Sequence, residues 1–496
     1  MELQCNEVSC IKNETGDNFA SGLQDYVFSI GKPNSLIMSA SYFRIKLTLT
    51  VNNRAPLVSD GIALAENCCA NMFNQVIFKA GGQDISSMMQ HAPQGAQCRQ
   101  RLNTSSSWGD SVGKSAFMLE PDFRERQKYT SLKPVTVGMG DAATTVAIAA
   151  NGVTTSAGTA ATVFNDPVGL LEAGDVLIVG GVDYNILSIT DATHVVVDNP
   201  TGAIIAATAN WHIVKQADYE EYQGRNTIYV IWRPQIGIFS YEGHLGSGDY
   251  RMSMNPNPLF KKAAVQTLRS MQIGGGEGEF NLNVDEIKFY ACTEKKIIPD
   301  QTLPMELHEA EVHSKTATSV SSWQFNLPVS TKAISVFFQA NESGSDTRFP
   351  PSLFKLMNGS EKKMSSIQLT YANIVHPNTM WNGEYQSTYG TGHNPTNLKN
   401  ELQQRYVDTY REAGMLDMAA GCESYKNFLK RGMLVHYSFT RDKDNLSTTF
   451  QLQANFVGGN GSLPPNSKVF VVAFYSKLVD ITTSGGQVVQ VNTLTR

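Results

Sequence analysis

Charge is what this sequence has least of. Asp, Glu, Lys and Arg make up 17% of 496 residues, against roughly 25% in an ordinary soluble domain. Ser, Thr, Asn, Gln and Gly must therefore cover much of the surface, a composition suited to surfaces that meet many neighbours. Basic residues are scarcest at the start, where residues 1–24 carry Glu2, Glu7, Glu14 and Asp17 against a single Lys12. A protein that condenses nucleic acid needs Lys and Arg to displace counterions from phosphates. With no basic arm and a net charge of −5, coating of a genome and sequence-specific nucleic-acid binding are excluded. Long apolar runs are missing too. The longest uncharged stretch, Ala142 to Asn165, is full of Thr, Gly and Asn and is too polar to span a bilayer. The opening MELQCNEVSC has neither a basic n-region nor an apolar h-region, so no signal peptide is expected. The seven cysteines (5, 10, 68, 69, 98, 292 and 422) are odd in number and scattered. Reduced thiols in a cytosolic or nuclear compartment fit them better than a disulfide framework.

Catalytic and metal motifs are also absent, and the near matches fail on spacing. Gly109-Asp-Ser-Val-Gly113-Lys114-Ser115 is one residue short of a phosphate-binding loop, with Trp108 where the first Gly belongs. His308 and His313 stand five apart instead of four, so on a helix they would diverge instead of sharing a zinc ion. Asp442-Lys-Asp-Asn445 lacks the Gly and distal Glu of a calcium loop. Gly274-Gly-Gly-Glu-Gly278 precedes no helix and reads as a joint. No Ser, His and Asp fall in a nucleophile-elbow context. The sequence thus names no catalytic, cofactor-binding or metal residues, and an enzyme is not expected.

What is present is strand. Phe43, Ile45, Leu47, Leu49 and Val51 alternate with Arg44, Lys46, Thr48 and Thr50, a period of two that buries one face and wets the other. Further strands are read at 26–30, 72–78, 227–233, 236–239 and 250–254, then at 280–290, 323–327, 334–339, 367–371, 433–439, 449–456 and 469–478. Helices are expected only in loops. One covers 84–102, split by Pro93 and Gly95; the other starts near Thr396-Asn397 with a stripe of Leu398, Leu402, Tyr406 and Tyr410. Each half runs strand, turn, longer strand, loop, strand, helix and closing strands, with negligible identity between halves. At this length two or three domains are expected. The reading is all-β: two jelly-roll β-sandwiches side by side, short helices in loops, and a small β domain inserted in the first lobe.

The insert is marked by composition, since Pro134 to Val214 contains no Lys or Arg. Within it, residues 174–189 read as a hairpin turning at Gly180-Gly181, with 191–197 as a third strand. The expected boundaries are an N-terminal arm 1–24, a first jelly roll of 25–136 and 214–258, the insert 137–213, a connector 259–279, a second jelly roll 280–482 and a C-terminal arm 483–496.

Taken together, Ser41-Tyr-Phe-Arg-Ile-Lys-Leu47, Asn71 to Phe78, Trp232-Arg-Pro-Gln-Ile-Gly-Ile-Phe239, Gly248 to Pro256, Lys332 to Gln339 and Val469 to Asp480 resemble the double jelly-roll major capsid proteins of double-stranded DNA viruses. The likeness is to those of polinton-like viruses and virophages, with adenovirus-like hexons further away. It covers about residues 25–480 without the insert. The resemblance implies a structural protein forming homotrimeric, pseudo-hexagonal capsomers of an icosahedral virion, assembled in the host cytoplasm or nucleus. It implies partners in neighbouring capsomers, penton and minor capsid proteins, and leaves room for contact with an internal membrane. No cofactor is implied. The alternatives are a carbohydrate-binding or adhesive β-protein, such as a receptor-binding or tail component, and a β-sandwich glycoside hydrolase. The hydrolase would need a carboxylate pair that the sequence does not single out.

Overall fold

The structure, a computed structural model, describes residues 7–11, 19, 22–52, 55–56, 60–104, 122–130, 144–158, 173–214, 227–268, 271–273, 279–340, 347–382, 405–414, 423–439 and 448–494, apart from 174, 192, 355, 359, 362–363, 372–373 and 457–458. The alternating segment is the middle of a long strand. Its odd-numbered residues from Phe43 to Val51 are buried and the even-numbered ones half-buried.

Around it lies the first lobe, made of β1 (Glu7–Ile11), β2 (Gln24–Ile30), β3 (Asn34–Val51), β4 (Phe73–Ala80), β5 (Gln83–Met88), β6 (Thr227–Trp232), β7 (Gly248–Pro256) and β8 (Glu279–Lys295). One sheet has the order β1-β8-β3-β6 and the other β2-β7-β4-β5. The second lobe comprises β9 (Gln301–Thr316), β10 (Ser322–Asn326), β11 (Thr331–Gln339), β12 (Met364–Tyr371), β13 (Ile374–Asn382), β14 (Val435–Ser438), β15 (Thr449–Phe456) and β16 (Lys468–Ser484). Its sheets run β9-β16-β11-β14 and β10-β15-β12-β13. Each order is the first lobe's with every strand number raised by eight. The chain is a topological duplicate, two eight-stranded jelly rolls of antiparallel strands in tandem.

Several expected boundaries need correction. Residues 280–295, read as the opening of the second lobe, are β8 of the first. They pair with β3 from Phe280↔Val51 to Lys295↔Asn34, because the last strand of a jelly roll returns to lie between its first and third. The lobes therefore meet at 296–300. Part of the N-terminal arm is β1, paired with β8 from Glu7↔Thr293 to Ile11↔Phe289. Five residues on a sheet edge carry too little alternation to be read. The C-terminal arm is β17 (Gln487–Leu494), folded back on β16 across Gly485-Gly486, whose φ of 55° and 79° only glycine adopts cheaply. It is also tied to the first lobe, with Ser247 N donating to Gly486 O at 3.0 Å and Val488 N to Ser247 O at 2.8 Å. In the described part of the connector, Phe260, Ala264 and Val265 are buried.

The helix read over 84–102 is two elements. Residues through Met88 extend the sheet, and α1 (Ala92–Asn103) follows. Pro93 begins this helix instead of breaking it, since the first turn needs no donor there. Of the second helix, residues 405–412 are helical; its capping pair at 396–397 lies outside the described residues. A further helix, α2 (Tyr425–Arg431), is capped by Ser424 accepting from Asn427 N at 3.2 Å.

Among the described residues, the segment between β5 and β6 carries α1, a helix over Phe123–Thr130 and then seven strands in the order 205–208, 144–148, 153–158, 194–197, 182–191, 176–179, 211–214. The two end strands are consecutive in sequence, so the sheet curls round on itself. Gly180-Gly181 turns the hairpin, with Val182 opposite Val179. Val146, Leu177, Tyr184, Val195, Trp211 and Ile213 belong to a core separate from those of the lobes.

Candidate functional site at the seam between the lobes

The seam begins with a strand whose two faces are both covered. In β16, Val469, Val471 and Ala473 point into the second lobe's own core, while Phe470 and Val472 join the apolar cluster of the first lobe. That double burial explains why 469–474 is a continuous apolar run where 43–51 alternates. The first lobe supplies the cover. The His91 ring stands edge-on to Phe470 at 5.3 Å, its Nε2 lies 3.1 Å from Ser314 Oγ, and Gln94 Nε2 donates to Gln339 Oε1 at 3.1 Å. Helix α1 sits close on β9 because Gly95 has no side chain; a Cβ there would lie 2.9 Å from Val312 Cγ2.

Behind this apolar contact the two lobes share buried charges. Glu66 and Arg101 come from the first lobe, Glu423 and Arg431 from the second. Their side chains are 6%, 0%, 2% and 4% exposed. They alternate in sign. Arg431 Nε donates to Glu66 Oε1 at 2.5 Å and its Nη1 to Glu423 Oε1 at 2.5 Å, and Arg101 Nε donates to Glu423 Oε2 at 3.1 Å. Tyr410 OH donates to Glu423 Oε2 at 2.6 Å, Tyr406 OH donates to the Glu423 carbonyl, and Gln97 Nε2 donates to Glu66 Oε1 at 3.1 Å. The Arg101 guanidinium lies 5.5 Å from the Phe354 ring and 5.3 Å from that of Phe428. Burial pushes the Glu423 carboxyl up, but Arg101 and Arg431 outweigh it and hold it below the usual range. Burial likewise works against the charge on Arg431, and Glu66 and Glu423 overcome it. Two arginines and two carboxylates cancel, which is how ions persist away from water.

A third buried carboxylate, Glu309 on β9, faces the first lobe, where Ser86 Oγ donates to it at 2.5 Å and Gly237 N at 3.1 Å. Burial raises its pKa despite the neighbouring Arg99. In the second lobe's seam-side sheet, His436 Nδ1 lies 2.9 Å from Ser335 Oγ, and burial lowers its pKa to about 4 from 6.5. A base whose folded value lies below its unfolded one takes up its proton more readily when unfolded. Stability is therefore lost as pH falls from about 6.5 towards 4. For this group the loss is about 3 kcal/mol over the window. Urea unfolding at pH 7 and pH 4.5 should show His436→Gln losing measurably less stability between the two than the wild type. Equal slopes would remove His436 as the cause.

The sequence reads Tyr406 and Tyr410 as a helix stripe and Gln339 and Phe470 as strand residues, but it singles out none of the buried charges Glu66, Arg101, Glu309, Glu423 and Arg431. Each is a lone charged residue near apolar neighbours, a weak signal, and their partners lie up to 365 positions away. The histidines weighed for zinc lie on strand β9 and not on a helix. His308 is near Ser476, and His313 Nε2 is 3.3 Å from Glu311. Among the described residues no group of three or more His, Cys, Asp or Glu could hold a metal ion. Cys68, Cys69, Cys98 and Cys292 are free and buried, and Cys10 is free and exposed. The segments 109–115, 274–278 and 442–445 lie outside the described residues.

No protein-family model matches the sequence, and no curated protein does. Solved structures do. A chain of the cryo-EM structure of the Sputnik virophage superposes with a TM-score of 0.50 at 10% identity, over 99% of this chain and 88% of that one. The mavirus major capsid protein gives 0.45 at 11% identity over 98% and 90%, and the Faustovirus major capsid protein 0.42 at 9% over 98% and 92%. The likeness to the virophage chain is one of fold.

Proposed function

We propose that this chain is a structural capsid protein that associates into homotrimeric, pseudo-hexagonal capsomers of an icosahedral virion. The observation that carries the reading is the duplicated jelly roll. Two lobes with one strand order are locked into a single rigid unit by a buried seam, so three chains closed in a ring present six similar lobes. A heterologous contact that closes gives a ring. The seam also supports a structural role, because its buried charges are bonded to one another across the lobes. Partners are then other copies in the trimer and in neighbouring capsomers, with penton and minor capsid proteins at the shell's special positions.

In this reading the 137–213 insert faces outward. It holds Asp141, Asp166, Glu172, Asp175, Asp183, Asp191 and Asp198 with no Lys or Arg, and such a surface turned inward would repel nucleic acid or an anionic membrane. Light scattering on purified protein should report about three chains, and negative-stain images should show hexagonal outlines. A stable monomer at micromolar concentration would overturn the reading.

A further inference from the structure

At one end of the sheet β2-β7-β4-β5 the first lobe carries a cleft of about 620 Å³. All four strands reach it: Leu23 precedes β2, Asn74 and Gln75 lie on β4, Asn255 ends β7, and Met89 follows β5. The insert leaves the lobe at this same end. Strand β5 runs on into α1 and the insert, and the chain returns as β6 with Thr227 opposite Thr48, towards the finish of β3. The turn from β2 to β3 at residues 31–33 marks the other end. Among the described residues that line the cleft, none is charged.

The floor of the cleft is apolar and fixed. Phe19 and Phe260 are both buried and stand edge to face with centroids 4.7 Å apart. At the rim Leu23 is 36% and Met89 51% exposed. The polar side chains of the cleft are all amides. Gln75 Oε1 accepts from Asn255 Nδ2 at 2.5 Å. Asn257 is pinned, its Nδ2 donating to the Asn71 carbonyl at 3.3 Å and its Oδ1 accepting from Leu259 N at 2.9 Å. Asn74 and Asn255 are exposed, and both have donor and acceptor capacity left for a ligand.

We infer that this cleft binds a neutral oligosaccharide. Small-ligand sites are concave, a few hundred Å³ in volume and mostly apolar, with a few placed polar groups. A sugar ring offers C–H surface on its faces and hydroxyls round its edge that both donate and accept. Apolar walls match the faces, and amides, which also donate and accept, match the edge. The lining has no cation to attract a phosphate, sulfate or carboxylate, and no carboxylate to attract an amine or a metal ion. An extended peptide would pair along a strand edge, whereas this cleft meets the strands at their ends. The bonds that already fix Gln75, Asn255 and Asn257 leave little side-chain freedom to lose on binding. Binding by the free chain is independent of the capsid reading. Only the outward placement of the cleft on a particle, at the insert's end, rests on it.

The test uses the full chain and ligand-detected NMR with calorimetry. The probes are maltotetraose, cellotetraose, chitotetraose and mannotetraose, with sialyllactose and a heparin tetrasaccharide as charged counterparts and an uncharged extended hexapeptide as the third class. At least one neutral tetrasaccharide should bind with a Kd of about 1 mM or tighter. Asn74→Ala and Asn255→Ala should each weaken it about fivefold, the worth of one net hydrogen bond. Met89→Asp should abolish it, while circular dichroism and the unfolding midpoint stay at the wild-type values. Gln453→Ala, an exposed amide on the second lobe, should leave binding unchanged. No binding of any neutral tetrasaccharide, equal or tighter binding of the charged sugars or the peptide, or binding that the three cleft variants do not move would overturn the inference and leave the capsomer reading standing. A chain that binds the sugar but stays monomeric would overturn the capsomer reading and leave the site.

Discussion

Arg431→Ala is expected to lower stability by about 3–5 kcal/mol, the cost of breaking a buried ion pair by removing one partner. Arg431 bridges Glu66 of the first lobe and Glu423 of the second, so its loss leaves two carboxylates in the seam with Arg101 as the neighbouring cation. The effect has a pH signature. The wild-type Glu423 carboxyl is held below its ordinary range, so its contribution is present above that range and lost as pH falls through the lowered value. Without Arg431 the carboxyl titrates higher, and acid unfolding should begin at a higher pH. Urea titrations between pH 7 and 3 check both effects. The double variant Arg431→Met with Glu423→Leu should recover part of the loss, because an apolar filling leaves fewer uncompensated charges. If Arg431→Ala unfolds within 1 kcal/mol of wild type (roughly the worth of an exposed pair), the network does not hold the lobes together.

The second large effect is on the apolar side of the seam. Phe470 stacks on Phe337 with centroids 5.1 Å apart and the rings 4° from parallel, and takes the edge of His91 from the first lobe. Phe470→Ala removes a fully buried ring and should cost about 3–5 kcal/mol. Its neighbour Val471 faces the opposite way, into the second lobe's own core. The two substitutions therefore separate seam from lobe. Phe470→Ala should open the lobes to limited proteolysis near 296–300 while each sandwich stays protected. Val471→Ala should cost less and leave that junction closed. Cleavage at the junction in both variants, or in neither, would show that the seam does not depend on the Phe470 ring.

Much of the architecture was legible because a β-strand writes its burial into a period of two. Phe43 to Val51 alternates, and it is the centre of the first lobe's sheet. The correspondence between halves was legible for the same reason: the readings at 26–30, 43–51 and 73–78 fall on β2, β3 and β4, and those at 323–327, 334–339 and 367–371 on the matching β10, β11 and β12. The short edge strand β1 escaped, having five residues and one neighbour. Strand β9 escaped because its seam end mixes Glu309, a buried charge, with Ala310 and Val312, so neither period survives. The lobe boundary was misplaced since β8 is contiguous in sequence with the second lobe but paired with the first.

By itself the sequence determined the class of structure: strand periods, turns at glycine pairs and the basic-residue desert of the insert are local properties that need no partner. It also showed the near matches at 109–115, 308–313 and 442–445 departing from the motifs they approach, since such motifs are defined by residue type and spacing along the chain. Only the tertiary structure decided which strands share a sheet, that 280–295 closes the first lobe, and that the C-terminal residues stitch the lobes instead of trailing from them. It alone brought Glu66 to Arg431 and Arg101 to Glu423. A hydrogen bond or ion pair is fixed by distance in space, and residues hundreds of positions apart leave no periodic trace of each other in the order of the chain.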